Sequence, residues 1–324
     1  MSQSSAVSAR KTAPRTPEHV RIVMATRNGA AYLSQQLQSI VDQTHKNWSL
    51  FVGDDGSDDD TCAQIRAFAA AHPDRDVTLV SGPCQGSAAN FLTQAAAAWR
   101  DADWLAFADQ DDVWMPTKLE RALSQIGRGD TAAGYSSRSI HTAPDLTPLR
   151  TSSLHRREPG FANALVQNVL SGHALVLNPA AAALVVNHTQ AALASKVPFH
   201  DWWIYNLIAG AGGRVVLDPE PGLYYRLHGE NVLGHNRSWS ERMVRLRILA
   251  GREFAGWIDC NLAALAQCEA ALTPDARALV KGMVEMRAEP RGRVRLRALR
   301  ELGLYRQSAG GDRVLRMLAL TGRL

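Results

Sequence analysis

Two aspartate-rich runs, each directly behind an apolar stretch, carry most of the chemistry this sequence can support. The first, Phe51-Val52-Gly53-Asp54-Asp55-Gly56-Ser57-Asp58-Asp59-Asp60-Thr61, sets five carboxylates within seven residues. Like charges this close repel, and solvent, the N-terminal dipole of a helix or a ligand rich in hydrogen-bond donors must offset that cost. Asp58 suits a helix N-cap, and Asp59 and Asp60 its first turn. Asp54 and Asp55 precede the turn that Gly56 allows, where a carboxylate can accept from the N–H of a base or from ribose hydroxyls, and Asp55 is the candidate for that contact. The second run, Ala108-Asp109-Gln110-Asp111-Asp112-Val113-Trp114-Met115-Pro116, crowds acids at the end of a buried strand. Such crowding is costly unless a cation neutralises it, and hard carboxylate oxygens favour Mg²⁺ or Mn²⁺. Acidic spacing of this kind also occurs in solvated turns. The apolar run before it and Trp114 and Pro116 after it favour the metal.

Two further segments hold polar groups in company that invites chemistry. In Pro198-Phe199-His200-Asp201-Trp202-Trp203 the aspartate at a helix start is either an N-cap or a general base. The second task needs only an ionised carboxylate within hydrogen-bond reach of a hydroxyl. Tyr224-Tyr225-Arg226-Leu227-His228-Gly229-Glu230-Asn231-Val232 places His228 between Arg226 and Asn231, where a lone histidine is either structural or a ligand.

The elements that must position these groups read as an α/β fold. From Val20 to about Pro116, short β-rich runs alternate with helical periodicity, the pattern of a parallel sheet covered by helices. Strands are expected at Val20–Ala25, Trp48–Gly53, Val77–Val80 and Trp104–Ala108. Helices are expected from Leu33 through Val41, over Asp58–Ala71 and over Ala88–Trp99. Each acidic run sits just past a strand end, where open α/β sheets bind ligands. After Pro116 the reading is a helix to about Ile126, a weak Ser-rich stretch, strand-like Ala174–Leu177, a helix over Pro198–Ala209, and strands Arg214–Leu217 and Gly222–Leu227. Beyond Arg237 only helical patterns remain. The expected division is a loose tail over 1–19, a catalytic unit over 20–236 with halves 20–116 and 117–236, and a basic helical extension over 237–324.

Composition excludes several classes. With 46% apolar residues, 324 residues can bury a sizeable core. Cys62, Cys84, Cys260 and Cys268 form no CxxC pair, which removes disulfide scaffolds and zinc ribbons and suits a reducing cytosol. The first 19 residues lack an apolar signal-peptide core. The most apolar stretch, Val169 to Val186, is broken by Ser171, His173, Asn178 and Pro179, so no membrane span is expected. The net charge of +5 conceals an asymmetry, since residues 237–324 carry 17 Arg or Lys against 9 Asp or Glu. Arg291, Arg293, Arg295, Arg297 and Arg300 interleave with Val294, Leu296 and Leu299. That pattern fits either the solvated faces of a helical bundle or basic amphipathic helices on an anionic membrane surface. No nucleic-acid-binding module accompanies the charge.

Together with Met24-Ala25-Thr26-Arg27-Asn28-Gly29 at the first strand end, the two acidic runs resemble family 2 glycosyltransferases. Within that family, the DQDDVWMP stretch is similar to the bacterial branch with rhamnosyltransferases of surface polysaccharide synthesis. The resemblance is dense over residues 20–235. It implies a GT-A fold, a Rossmann-like sheet that binds a nucleotide sugar, and an inverting transfer to a hydroxyl of a glycan acceptor; the basic C-terminal helices, which would hold the enzyme at the membrane, point to an acceptor on a lipid carrier. It further implies that Asp55 meets the pyrimidine, Asp109 the ribose, and Thr26 and Asn28 the nucleotide. Asp111 would hold Mg²⁺ or Mn²⁺, joined by His228 of a YRxHGxN-like segment, and Asp201 would be the base. Gly172 and His173 resemble the sugar-facing strand start, where a small residue lets the donor approach. Trp202, Arg226 and Asn231 complete the donor or acceptor side. The donor implied is dTDP-rhamnose or a UDP-hexose, and the place of work is cytoplasmic, peripheral to the inner membrane face. Rival readings are a metal-dependent nucleotidyltransferase or hydrolase, for which the first strand end lacks a Lys, and a non-catalytic nucleotide-sugar-binding scaffold. The joint presence of Asp55, Asp111 and Asp201 argues against the scaffold.

Overall fold

The computed structural model describes residues 18–101, 103–228 and 252–324. β1 (Val20–Thr26), β2 (Trp48–Asp54), β3 (Val77–Ser81) and β4 (Trp104–Ala108) alternate with α1 (Leu33–Val41), α2 (Thr61–Ala71) and α3 (Ser87–Ala98). These strands pair in the order β3-β2-β1-β4, all parallel. In β1, Val20, Ile22 and Met24 pack into one core and Val23 into the other, as a parallel strand covered on both faces must. The register sets Thr26 opposite Asp54 and Met24 opposite Ala108, so both acidic runs leave the sheet at the edge where β1 ends.

The second half continues the sheet with mixed pairing. After β5 (Val113–Trp114) and α4 (Lys118–Ile126) come β6 (Ala133–Thr142), β7 (Pro148–Thr151), α5 (Phe161–Ala164), β8 (Leu175–Leu177), α6 (Pro179–Asn187), α7 (Thr189–Ala194), α8 (His200–Gly210) and β9 (Arg214–Arg226). β8 lies antiparallel between β4 and β6, β9 runs parallel to β6, and β5 closes antiparallel on β9. The described sheet has nine strands, with β7 paired to β6 off the main path.

Four expectations are corrected. The weak Ser-rich stretch is the ten-residue strand β6; Ser136, Ser137 and Ser139 are buried in it, so hydropathy hides a central strand. The two strands after Gly213 are the single strand β9, which carries Pro219 and Pro221 where the pairing with β6 slips register, the one kind of interior position a proline tolerates. The second helix starts at Thr61 instead of Asp58, with Asp60 as N-cap, because Asp59 accepts from the backbone of both Ala30 and Thr61 and ties down the turn. The helix expected from Pro198 starts at His200.

One core joins Leu33, Leu37 and Ile40 of α1 and Leu119 of α4 to the sheet. The other gathers Phe91, Phe107, Trp202 and Trp203 and runs on through the C-terminal helices Glu253–Gln267, Pro274–Ala288, Gly292–Glu301 and Ala309–Thr321. Ile258, Leu265, Met283, Leu299, Leu315 and Leu318 all enter it, each worth about 1.5–3 kcal/mol of burial. Of the leucines interleaved with the basic run, Leu299 faces this core. Arg295 is itself buried and donates to the carbonyls of Ala319 and Leu320 at the end of the last helix, where a cation is favourable. Arg293, Arg313 and Arg316 stay exposed beside Val294, Met317 and Leu320. Among the described residues no helix is long and apolar enough to cross a membrane.

Candidate active site

The loops after β1, β2 and β4 meet β6, the Gly172 turn and the start of α8 around a cleft of about 1120 Å³. Gln110 fastens the first loop to the last: its side chain accepts from the Arg27 N–H and donates to the Arg27 carbonyl, both at 2.9 Å. Asn28 takes a left-handed backbone (φ 49°), which asparagine tolerates. Its N–H donates to Ser57 and its side-chain oxygen accepts from the Asp58 N–H, so Asn28 ties loop to loop and does not line the cleft. Thr26 lines the cleft while donating its hydroxyl to Asp54 at 2.9 Å.

Asp54 is held by the protein itself. Besides Thr26 it accepts from the N–H groups of Gly56 and Ser57 and from the Ser57 hydroxyl. Burial pushes its pKa up, but these bonds outweigh burial and hold the carboxyl below the usual 3.8. Asp55 lines the cleft, and its Oδ1 accepts from the Cys84 N–H at 3.0 Å. A Cβ at Gly82 would fall 2.1 Å from that oxygen, so the close approach needs glycine.

The second acidic run is held differently. Asp111 accepts from His228 Nε2 at 2.6 Å, and Arg226 donates to the Asp111 carbonyl at 3.0 Å. Asp109 stands at the cleft, 3.8 Å from His173. Burial, then the charges of Asp111 and Asp201, push its carboxyl up to about 7. Asp112 is fully enclosed, and neither of its oxygens makes a well-formed hydrogen bond among the described residues. Burial and then Asp111 and Asp109 push it well above the usual carboxylate range. One ligand atom each from Asp109, Asp112 and His173 lies within 4.8 Å of the others. A buried acid, a half-buried one and an imidazole fit a divalent ion, and the orphaned oxygens of Asp112 are the kind of group such an ion satisfies. The structure thus gathers Asp109 with Asp112 and His173, and pairs the expected ligands Asp111 and His228 with each other.

Asp201 lies in the first turn of α8 and lines the same cleft. Its Oδ2 accepts from the Gly172 N–H at 3.0 Å and its Oδ1 from the Trp202 N–H at 2.7 Å. Phe199, two residues before it, is the N-cap. His200 is packed against Phe91 and Phe107, and burial pulls its pKa down. A Cβ at Gly172 would fall 2.6 Å from that imidazole, so the room made by this glycine is filled by His200. His173 stacks on Tyr225 of β9, 4.7 Å between ring centres.

Two expected contacts lie elsewhere. Trp202 is 3% exposed, donates its indole N–H to the Ala164 carbonyl and stacks on Phe254, so it serves the core. The Arg226 guanidinium is also buried. It bridges Asp111, Pro144 and Gln35 over the Tyr32 ring and shapes the acidic loop from behind. Asn231 lies outside the described residues. Sequence reasoning missed Lys118, whose ammonium is enclosed 3.4 Å from the centre of the Trp114 ring. A signal existed: a lysine opening a helix works against the helix dipole and needs another reason to be there. It also missed Asp218, which is buried and accepts from Tyr135 at 2.7 Å and from Arg121.

Comparison with known proteins adds the family. The model of glycosyl transferase family 2 matches residues 21–184, just over half of the chain. The dTDP-rhamnosyl transferase RfbG of Shigella flexneri is 26% identical over 241 residues, 71% of this chain and 80% of that protein. The UDP-Glc:alpha-D-GlcNAc-diphosphoundecaprenol beta-1,3-glucosyltransferase WfgD of Escherichia coli is 29% identical over 121 residues. That match takes in 37% of this chain and spans 46% of the relative, less than half its length. Among solved structures, S. aureus TarS 1-349 in complex with UDP-GlcNAc is similar with a TM-score of 0.49 and 14% identity, over 81% of this chain and 86% of that one. With the acidic loops gathered at the strand ends and the family model matching residues 21–184, the chain belongs to glycosyl transferase family 2, and it is a glycosyltransferase.

Proposed function

We propose that the protein is an inverting transferase that moves a sugar from a nucleotide diphosphate to a hydroxyl of a glycan acceptor. The observation that carries this reading is the presence of Asp201 in the same cleft as Asp55, Asp109 and Asp111, which supplies a base and a donor-binding wall together. Asp55 accepts from the pyrimidine N–H, and Thr26 and Asp109 border the nucleoside. Asp109, Asp112 and His173, backed by Asp111 and His228, would hold Mg²⁺ or Mn²⁺, which would offset charge on the departing diphosphate. Asp201 accepts the proton of the acceptor hydroxyl as its oxygen bonds to the anomeric carbon and the bond from that carbon to the diphosphate breaks. The Gly172 N–H and the start of α8 fix the Asp201 carboxylate for that task.

The donor we propose first is dTDP-rhamnose, on the likeness to the rhamnosyl transferase, with a UDP-hexose second. A lipid-linked acceptor is supported by the printed substrate of the glucosyltransferase relative, a diphosphoundecaprenol. The exposed arginines and apolar residues of the last two helices fit a peripheral place at the cytoplasmic membrane face. Incubation with a panel of nucleotide sugars, Mn²⁺ and a lipid-linked glycan, with release of nucleotide diphosphate as the readout, tests the reading. Turnover with one donor and an inverted product bond by NMR is expected. Absence of turnover with every donor and acceptor would favour a nucleotide-sugar-binding protein instead.

A further inference from the structure

We propose that the β6–β7 hairpin carries an acceptor subsite, in which Arg138 and Arg150 bind the phosphate groups that join the acceptor glycan to a lipid carrier. The inference rests on the lipid-linked acceptor proposed above and adds the place that recognises it. The cleft, at about 1120 Å³, exceeds the roughly 300–1000 Å³ usual for a single small ligand, so it has room for a second substrate beside the donor. Its lining also changes character from element to element. Asp55, Asp109 and Asp111 stand on the loops after β2 and β4, whereas the lining drawn from residues 136–155 includes Arg138, Arg150 and several hydroxyls but no carboxylate.

Arg138 is the sharper signal. It is half-buried, and its guanidinium donates from Nε and Nη2 to the Ser152 carbonyl and from Nη1 to the Pro219 carbonyl at 3.5 Å. Neutral carbonyls fix the group without cancelling its charge, and among the described residues no carboxylate pairs with it. Asp218, on the neighbouring strand β9, is already taken up by Arg121 and Tyr135. A cation held in this way is ready for an anion, and a guanidinium suits phosphate oxygens. The distance to the chemistry fits as well. Ser136 accepts from the Ser171 N–H at 3.1 Å, next to Gly172, whose N–H holds Asp201. Arg138 follows two residues along the same strand, about 7 Å on. One acceptor can therefore place a hydroxyl at Asp201 and a phosphate at Arg138. Leu154, 50% exposed, adds apolar surface to this lining for the start of the lipid.

The test is calorimetric titration of the full chain with farnesyl diphosphate after saturation with dTDP or UDP, so that the nucleotide site is filled. Farnesyl diphosphate should bind, and Arg138→Gln and Arg150→Gln should each weaken it at least about tenfold while leaving nucleotide affinity unchanged. Wild-type affinity in either variant overturns the proposal, as does equally tight binding of farnesol, which lacks the phosphates. Inorganic pyrophosphate bound as tightly as farnesyl diphosphate makes this a free-phosphate site and overturns the lipid carrier. Should Arg138→Gln not fold, because Arg138 also ties Ser152 to β6, Arg150→Gln on the exposed strand β7 decides alone. A chain that binds neither dTDP nor UDP overturns the nucleotide-sugar reading and the subsite with it. Nucleotide binding without farnesyl diphosphate binding overturns the subsite only.

Discussion

The two acidic runs look alike on paper and are built on opposite principles. In the run after β2, Asp54 takes up donors from Thr26, Gly56 and Ser57, and Asp59 takes up two backbone N–H groups. In the run after β4, neither oxygen of Asp112 makes a well-formed hydrogen bond among the described residues, and Asp111 leans on an imidazole. Asp54, with both oxygens satisfied by its own chain, belongs to the scaffold. Asp112, enclosed and without such bonds, is where the proposed ion would add charge. The number of acids in a run says little about ligand binding, and the supply of nearby donors says much more.

Four outcomes would sharpen or break that contrast. The largest concerns the carboxylate at the start of α8: Asp201→Asn should lower turnover by about 10²–10⁴-fold while nucleotide binding persists. Equal loss of both, in a nucleotide titration run beside the rate assay, would remove its role as base. Next, Asp54→Ala should cost about 3 kcal/mol in urea unfolding, because it orphans several donors, yet leave Mn²⁺ uptake unchanged. The mirror image is Asp109→Ala, for which Mn²⁺ affinity by EPR titration should weaken at least about tenfold with little change in unfolding. If Asp54→Ala instead loses Mn²⁺ and Asp109→Ala instead loses stability, the division into scaffold and site fails.

The smallest effect is acid sensitivity. Asp54 and Asp218 both have folded pKa values below the usual 3.8. For Asp218, burial raises the value, and the bonds from Arg121, Glu220 and Tyr135 outweigh it. A carboxyl lowered in the folded state contributes stability that is fully present above its unfolded value. That contribution is lost as the pH falls through the lower folded value. Unfolding followed from pH 6 down to about pH 3 should show this loss beginning near pH 4, and Asp218→Asn should flatten it.

What the sequence made legible follows from how residues report their surroundings. β1 and β4 could be read because strands covered on both faces are continuously apolar. β6 could not, since its buried serines look like a loop until β8 and β9 are seen to flank it. Asp55, Asp109 and Asp201 do share a cleft, as their positions past strand and helix ends suggested. The family resemblance puts Trp202 and Arg226 on the donor or acceptor side. Both turn inward, a choice made by Phe254 in one case and by Tyr32 and the Asp111 carbonyl in the other, and no local pattern encodes such distant partners.

The tail of β9 grips the acidic loop at two points, by Arg226 on the Asp111 carbonyl and by His228 on its carboxylate. That grip works as a bolt. Moving the loop outward would break both contacts, so these two residues set how rigidly Asp111 stands.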